Sequence, residues 1–582
     1  MARIAVIHKD RCNPEGCGGY LCIKLCPINR TGKECIVQGP AGKAQIDESL
    51  CTGCGICPNR CPFEAISIVN LPGTLEETPI HRYGQNEFSL FSLPTPVFGS
   101  VVGVIGRNGI GKSTAIKILA GVQKPNLGKE AEVSHDELIK TFKGSETHKF
   151  FERLKKGEIK AAYKPQHVDL LIRTVQGRIS DLLRKVDEKG MFDTVIKELA
   201  LENFLNREIQ QVSGGELQRV AIAATVLKDA NLYIFDEPTS YLDIKQRLRV
   251  SRFIRSLADE KTAVIVIEHD LIALDFMADI VNIMYGKEDV YGIVSQPKPA
   301  RQAINTYLEG YLKEENVRFR DNKIKFDIKP PVDLRKSVPV YSWQAFKKKL
   351  DGFSLSAEPG MVAKHEIVGV LGENGIGKTT FARILAGEIM PDDGQISEGI
   401  SISYKPQYIQ ADDRLVAQAL EEACNYTNEL IKPLGLTHII NKRLSQLSGG
   451  ELQRVAIASA LAKKCDIALL DEPSAYLDVE QRLSLARIIE IISSLKGMSV
   501  MVIDHDLVFL DYLAQRLLVF DGEPAIKGHA EGPFSMEQGM NKLLTGLDIT
   551  LRREPTTGRP RVNKQESRKD REQKSSGKLY YA

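Results

Sequence analysis

The chain has 582 residues, 43% of them apolar, and a formal net charge of +3. That length suits roughly three or four domains of about 150 residues, and the near-neutral balance excludes bulk electrostatics as the basis of a nucleic-acid partnership. No stretch approaches the roughly 18 uninterrupted apolar residues of a membrane span. Met1-Ala2-Arg3-Ile4-Ala5 leads into strand-like sequence instead of a signal peptide. The expectation is a cytoplasmic protein without membrane association.

In chain order, the first feature is a cysteine head: nine of the eleven cysteines fall between Cys12 and Cys61. The second run, Cys51-x2-Cys54-x2-Cys57-x3-Cys61-Pro62, has the spacing of bacterial two-cluster ferredoxins, in which the fourth cysteine serves the neighbouring cluster. A zinc site uses paired C-x2-C knuckles and fits this run poorly. The first run, Cys12-x4-Cys17-x4-Cys22-x3-Cys26-Pro27, is looser. The swapped-ligand logic assigns Cys12, Cys17, Cys22 and Cys61 to one [4Fe–4S] cluster and Cys51, Cys54, Cys57 and Cys26 to another. Cys35 is then spare and reads as a small buried residue. With no flavin or nicotinamide fingerprint beside the head, structural or mechanical use of the clusters is favoured over electron transfer.

Two P-loops follow, Gly106-Arg107-Asn108-Gly109-Ile110-Gly111-Lys112-Ser113 and Gly372-Glu373-Asn374-Gly375-Ile376-Gly377-Lys378-Thr379. Each sits between an apolar strand and a helix, as a phosphate-cradling loop requires. The candidate nucleotide contacts are Gly106, Asn108, Gly109, Gly111, Lys112, Ser113 and Thr114 in the first, and Gly372, Asn374, Gly375, Gly377, Lys378, Thr379 and Thr380 in the second. Lys112 and Lys378 would neutralise the β- and γ-phosphates of ATP, while Ser113 and Thr379 offer hydroxyls to Mg²⁺. Downstream, Leu232–Glu237 and Ile467–Glu472 are apolar runs ending in Asp-Glu, suited to central parallel strands. Asp236 and Asp471 are Mg²⁺ candidates, and Glu237 and Glu472 are placed to polarise the attacking water. Tyr83 is the candidate for stacking on adenine, and Phe353 is a weaker one.

Each half also carries Ser-Gly-Gly-Glu-Leu-Gln-Arg, at Ser213–Arg219 and Ser448–Arg454, which resembles the signature motif of ABC ATPases. The resemblance extends to Gln166 and Gln407 as Q-loop residues that reach Mg²⁺ and the catalytic centre, to Tyr241-Leu242-Asp243 and Tyr476-Leu477-Asp478 as D-loops, and to His269 and His505 as switch histidines. It implies that the cassettes pair within one chain. Ser448, Gly449 and Gly450 would complete the site of Lys112, and Ser213, Gly214 and Gly215 the site of Lys378. The implied fold class is α/β: two tandem P-loop domains behind an α+β ferredoxin-like head.

The halves differ by an insertion. Lys112 and Gln166 are 54 positions apart but Lys378 and Gln407 only 29, so the first cassette has 25 extra residues. Ser134-His135-Asp136-Glu137 reads as a capping box opening a helix to about Gly144, and a second helix spans about Glu146 to Lys156 before Gly157. Lys140, Lys143, Lys149, Arg153, Lys155 and Lys156 on this hairpin are candidates for phosphate-backbone docking. The expected organisation is a head at 1–75, a first cassette at 76–300 with its insert near 130–157, a hinge at 301–335, a second cassette at 336–530, and a basic C-terminal segment at 531–582. From Leu551 onward ten Lys/Arg face four Asp/Glu, a net of +6; this tail is expected to be mobile or docked on the hinge.

The fusion of a two-cluster head, twin cassettes, a helical insert and the tail Gln573-Lys574-Ser575-Ser576-Gly577-Lys578 resembles subfamily E of the ABC proteins, the ribosome-recycling ATPases also called RNase L inhibitors. That resemblance spans essentially the whole chain, and the short N-terminal lead favours an archaeal member. It implies a monomer that binds the small ribosomal subunit and its RNA beside a release or stalled-ribosome rescue factor, closes on ATP, and swings its head to part the subunits. Contacts with initiation factors are also implied, with Arg318, Arg320, the insert and the tail as RNA contacts. The alternative is an ATP-coupled iron–sulfur redox enzyme.

Overall fold

A computed structural model describes residues 3–39, 42–48, 50–70, 78–84, 87–129, 133–326, 338–397 and 399–581. The linker residues Lys329, Pro330 and Pro331, and the head boundary near residue 75, lie outside the described residues. The chain forms two compact units. The first comprises Met1–Pro238, Phe253–Glu268 and Ala278–Asp321; the second comprises Thr239–Arg252, His269–Met277 and Asn322–Ala582.

In the first unit the head pairs its outer strands, Arg3–Ile7 and Ile66–Asn70, antiparallel. A second hairpin joins Ile36–Gln38 to Ala44–Ile46, and the short helices Leu21–Leu25 and Ile56–Arg60 carry cysteines between them. The head core mixes aliphatic side chains such as Ile36 and Ile46 with Cys26, Cys35 and Cys57. Val6 and Val69 pack against Val290 of the cassette, and ion pairs Lys9–Glu87 and Arg82–Glu48 flank that contact.

The cassette sheet of the first unit runs, among the described residues, in the order His81–Arg82, Ser89–Leu90, Tyr291–Val294, Ile280–Lys287, Val101–Ile105, Ala263–Ile267, Leu232–Asp236, Ala161–Lys164. From Ile280–Lys287 through to Ala161–Lys164 every neighbouring pair is parallel. The P-loop strand and the Asp-Glu strand flank Ala263–Ile267, so both acids and the phosphate loop emerge at the same carboxyl edge, where such sheets bind ligands. The sheet of the second unit repeats this order with Ile367–Leu371, Ser499–Ile503, Ile467–Asp471 and Ile402–Lys405 as its parallel core.

The insert forms helices His135–Thr141 and Glu146–Lys155. The first is shorter than expected. Ser134 Oγ accepts the Glu137 N–H at 3.3 Å, but the Glu137 carboxylate turns to Lys129, so the expected reciprocal box is only half made. Leu138, Phe150 and Phe151 enter the cassette core. Arg153 stacks on Phe98 at 4.2 Å, leaving Lys140, Lys143, Lys149, Lys155 and Lys156 exposed.

The basic tail is packed, and it meets the end of the expected hinge where the Phe326 N–H donates to the Thr557 carbonyl at 3.0 Å. Its helix Arg568–Ser576 is capped by Ser567, and Leu579 and Tyr580 are buried. Arg320, half-buried, stacks over Tyr307 at 5.0 Å and donates to the Leu308 carbonyl at 3.1 Å.

Candidate nucleotide and cluster sites

Each P-loop ends on a glycine that starts the helix: Gly111 (φ 84°) before Lys112–Leu119, and Gly377 (φ 92°) before Lys378–Leu385. Left-handed backbone at these positions favours glycine, and a Cβ there would fall 2.4 Å from Phe88 in the first loop and 2.9 Å from Phe353 in the second. Phe88, not Tyr83, is thus the counterpart of Phe353: both rings pack beneath a phosphate loop. Tyr83 lies beside the first helix with its hydroxyl 3.1 Å from Thr114 Oγ1 and its ring 52% exposed, which leaves a face open for stacking.

Both loop lysines are buried, with their ammonium groups turned into the loop's own carbonyls. Lys112 Nζ donates to Gly106 O at 3.0 Å, and Lys378 Nζ to Gly372 O at 3.1 Å. Desolvation pushes the Lys378 ammonium down to about 8 against the pull of Glu472, Asp243 and Asp471. A buried ammonium at the start of a helix, on a loop of glycines, is a donor set that fits an anionic phosphate, and so a nucleotide. Thr379 Oγ1 donates to Asp471 Oδ2 at 2.7 Å, and the nearby Ser113 hydroxyl draws the Asp236 carboxyl down against the larger effect of its burial. Burial raises the carboxyl of Asp236, and that of Asp471 to about 6. The Oδ1 atoms of both aspartates are buried and take no hydrogen bond among the described residues. Orphaned anionic oxygens beside a hydroxyl are what a divalent cation would satisfy, so these residues fit Mg²⁺.

The following acids adopt the left-handed backbone, Glu237 and Glu472 each at φ 47°. That conformation is costly for a side chain with a Cβ and persists where its surroundings impose it. The constraints match in both halves. Gln166 Nε2 donates to Glu237 Oε1 at 2.7 Å, and Gln407 Nε2 to Glu472 Oε1 at 2.7 Å. From the signature helices, Gln218 Nε2 reaches the Glu237 carbonyl at 2.7 Å and Gln453 Nε2 the Glu472 carbonyl at 2.6 Å. The fully buried Lys164 and Lys405 donate to the Asp236 and Asp471 carbonyls at 2.9 and 2.7 Å. Sequence reasoning missed all four of these supports, although each lysine sits in the Tyr-Lys-Pro-Gln that was singled out for its glutamine.

In the second unit, His505 Nε2 lies 3.5 Å from Glu472 Oε1. Burial and the Lys378 charge push His505 down, against the pull of Glu472. Burial would raise Glu472, yet the nearby His505, the Gln407 bond and the charge of Lys378 hold it down at about 2. The result is an ionised carboxylate within reach of the Gln407 amide and close to His505. His269 is likewise buried, in the second unit. There too the D-loop carboxylate of Asp243 accepts the Asn374 N–H at 3.0 Å, and Lys245 pairs with Glu373 at 2.9 Å. Ser213 and Ser448 cap the helices Gly214–Val226 and Gly449–Ala462 in full capping boxes with Glu216 and Glu451. The Ser-x-x-Glu spacing announces this in the sequence.

Four of the head cysteines, Cys12, Cys17, Cys22 and Cys61, line one pocket that is partly open to solvent. Cys35 lies near Cys26 and Cys51, and Cys57 near Cys51, Cys54 and Cys22. Backbone N–H groups of Ala5 and Ala65 point at Cys51 Sγ (3.3 Å) and Cys61 Sγ (3.4 Å). Burial pushes the thiols of Cys22 and Cys57 up to about 11 and about 12. Such thiols bear thiolate charge only when a metal offsets it, and N–H···S bonds are the usual support of cluster sulfurs. The residues therefore fit iron–sulfur clusters.

This is the architecture of an ABC-type ATPase carrying an iron–sulfur head. A family model for the ABC transporter matches residues 97–240 and 356–475, a possible Fer4-like domain in RNase L inhibitor, RLI, matches 2–34, and a 4Fe-4S binding domain matches 44–67. An uncharacterised ABC transporter ATP-binding protein of Methanocaldococcus jannaschii is 50% identical, over 100% of this chain and 97% of its own. The ABC transporter E family member 1 of Arabidopsis thaliana is 44% identical over 100% and 99%. Translation initiation factor RLI1 of Saccharomyces cerevisiae is 43% identical over 100% and 98%. Among solved structures, a model of ribosome-bound archaeal Pelota and ABCE1 superposes with TM-score 0.94 at 50% identity, covering 100% of this chain and 99% of that one. An archaeal recycling factor aABCE1 in complex with the ribosomal stalk protein aP1 gives TM-score 0.82 at 49% identity, over 87% and 99%. The chain belongs to the E family of ABC proteins, the RNase L inhibitor family. Among the described residues no helix is long and apolar enough to cross a membrane.

Proposed function

We propose that this chain is an ATP-driven ribosome-recycling factor that parts ribosomal subunits after termination or rescue. The observation that supports it most strongly is full-length similarity, at 50% identity, to a protein seen on the ribosome with Pelota. Its partners are then the small subunit and its RNA together with a release or rescue factor, with initiation factors as further contacts. The relatives named as translation factors do not favour the redox alternative.

In the second unit, Lys378 and the loop N–H groups hold the terminal phosphates. Thr379 and Asp471 would ligate Mg²⁺, with Gln407 in reach of the same centre, and Ser113, Asp236 and Gln166 are their counterparts in the first. When bound, the cation neutralises charge developing on the transferred phosphoryl group. Glu472, ionised and held by Gln407, takes the proton of the attacking water, and His505 sits beside that carboxylate where it can donate toward the γ-phosphate. Glu237 has the same role in its own half. Two [4Fe–4S] clusters, held by Cys12, Cys17, Cys22 and Cys61 and by Cys26, Cys51, Cys54 and Cys57, stiffen a head otherwise short of apolar core.

Anaerobic density-gradient sedimentation with archaeal ribosomes and a rescue factor tests the proposal. Subunit splitting with ATP is expected, with retention on the small subunit in a non-hydrolysable analogue but not in ADP. Absence of ribosome association in all three nucleotides would overturn it.

A further inference from the structure

The two switch histidines are followed by equivalent short helices, Leu271–Met277 and Leu507–Leu513, both in the second unit. Each helix is pinned at two places with the same spacing. One residue past the histidine, Asp270 pairs with Arg247 and Asp506 pairs with Arg482, each at 2.7 Å. Six residues past it lie Asp275 and Asp511, and both of these are gripped by the C-terminal segment. Asp275 Oδ2 meets Arg559 at 3.1 Å and Arg561 at 2.6 Å. Asp511 Oδ1 accepts the hydroxyls of Tyr580 and, at 3.1 Å, Tyr581, while its Oδ2 lies 3.5 Å from Arg553.

A single hairpin supplies the arginines. Leu551–Arg553 pairs antiparallel with Pro560–Val562, which sets Arg553 opposite Pro560, next to Arg559. Its turn is braced by Glu554, whose carboxylate accepts the N–H of Thr556 at 2.7 Å and of Thr557 at 3.0 Å. Tyr580 is bridged to Leu551, and the Arg553 guanidinium lies 4.1 Å over the Tyr581 ring. The side chain of Arg559 is 0% exposed, and its Nε and Nη1 take no acceptor among the described residues. Burying a guanidinium in this way is costly, and an apolar residue would serve stability as well or better. What the charged arrangement supplies is one fixed geometry for each helix.

We propose that Asp511, and Asp275 in the matching place, are positioning residues: the C-terminal hairpin and the tyrosine pair hold the helix behind each switch histidine and so set where its imidazole sits. The inference rests on the ATPase reading above. His505, 3.5 Å from Glu472 Oε1, is the group through which Asp511 acts. One hairpin serving both helices also gives the two histidines a shared support.

The test uses the full-length chain with its clusters on a Glu237→Gln background, which silences the first site and serves as the reference, and measures steady-state ATP hydrolysis and thermal unfolding. Asp511→Asn keeps the shape but loses the charge. It is expected to lower kcat about 10-fold by misplacing the histidine, with KM for ATP within about two-fold. On a His505→Ala background the same substitution should cause no further fall. The double variant Tyr580→Phe/Tyr581→Phe, which keeps the rings and removes the hydroxyls, should shift kcat in the same direction when assayed well below its unfolding midpoint. Unchanged kcat in both variants would overturn the proposal, as would an equal fall with and without His505. Glu472→Gln separates the levels: hydrolysis at the reference rate in that variant would fail the ATPase reading and this inference with it. An inactive Glu472→Gln beside an unaffected Asp511→Asn would fail the inference alone.

Discussion

Replacing Glu472 by Gln isolates the proton-accepting step. The amide is nearly the same size, so the space between Gln407 and His505 stays filled, and its carbonyl oxygen can still accept the 2.7 Å bond that Gln407 Nε2 gives to Glu472 Oε1. What disappears is an ionised carboxylate whose proton affinity lies at about 2, held there against burial by His505, Gln407 and Lys378. Loss of a positioned general base costs about 10²- to 10⁴-fold, or about 3–6 kcal/mol in the barrier at about 1.4 kcal/mol per decade. Lys378 keeps its carbonyl contacts and its place in the phosphate loop, so ATP affinity should change little. Single-turnover hydrolysis with radiolabelled ATP under excess enzyme measures the chemical step, and filter binding measures the retained nucleotide. The reasoning predicts slow hydrolysis with ATP trapped on the protein. Glu237→Gln, which loses the carboxylate bonded by Gln166 at 2.7 Å, should behave alike. A single-turnover rate within about three-fold of wild type in both variants, far short of the loss expected for a base, would refute the assignment.

Gly377→Ala forces a side chain into backbone at φ 92° with its Cβ 2.9 Å from Phe353, so ATP binding should weaken at least about 10-fold and the unfolding midpoint should drop; unchanged calorimetric affinity would contradict the description of the loop. Cys17→Ser removes a thiol from the four-cysteine cavity and should lower iron from about eight toward about four per chain if two cubes are held; full iron content by colorimetric assay would refute the ligand division. Charge reversal at Lys140, Lys143 and Lys149, all exposed on the insert, should reduce the salt dependence of ribosome binding without touching basal ATPase activity; an unchanged slope of log affinity against log salt would remove the insert from the RNA interface. Ser448→Ala deletes the cap of Gly449–Ala462 and should cost about 1 kcal/mol in chemical denaturation; an unaltered midpoint would show that the box with Glu451 contributes nothing.

The sequence by itself determined whatever is contiguous along the chain. A P-loop is a short run whose glycines, lysine and hydroxyl act on one phosphate, so its chemistry can be read without knowing where the rest of the chain lies. The same holds for the Asp-Glu strand ends, the Ser-Gly-Gly helix starts and the second cysteine run, and duplication at matching offsets fixed the two-cassette class. Local pattern also fixed the insert, though not the partner of Glu137, which turned to Lys129 instead of back to the cap.

Tertiary structure decided which distant groups meet. The aromatic under the first phosphate loop is Phe88, because parallel pairing of Ser89–Leu90 with Tyr291–Val294 brings that segment beneath the glycines. Lys164, Lys405, Gln218 and Gln453 converge on the backbone of the acids only once strand and signature helix are packed. The tail, which composition alone left either mobile or docked, is held because Tyr580 finds Asp511 across 69 residues and Arg559 finds Asp275 across 284. Hydrogen bonds and ion pairs act over a few ångströms, while sequence spacing constrains distance only within a turn, a strand or a short loop. Contacts across tens or hundreds of residues are set by sheet order and burial, which no local run of side chains records.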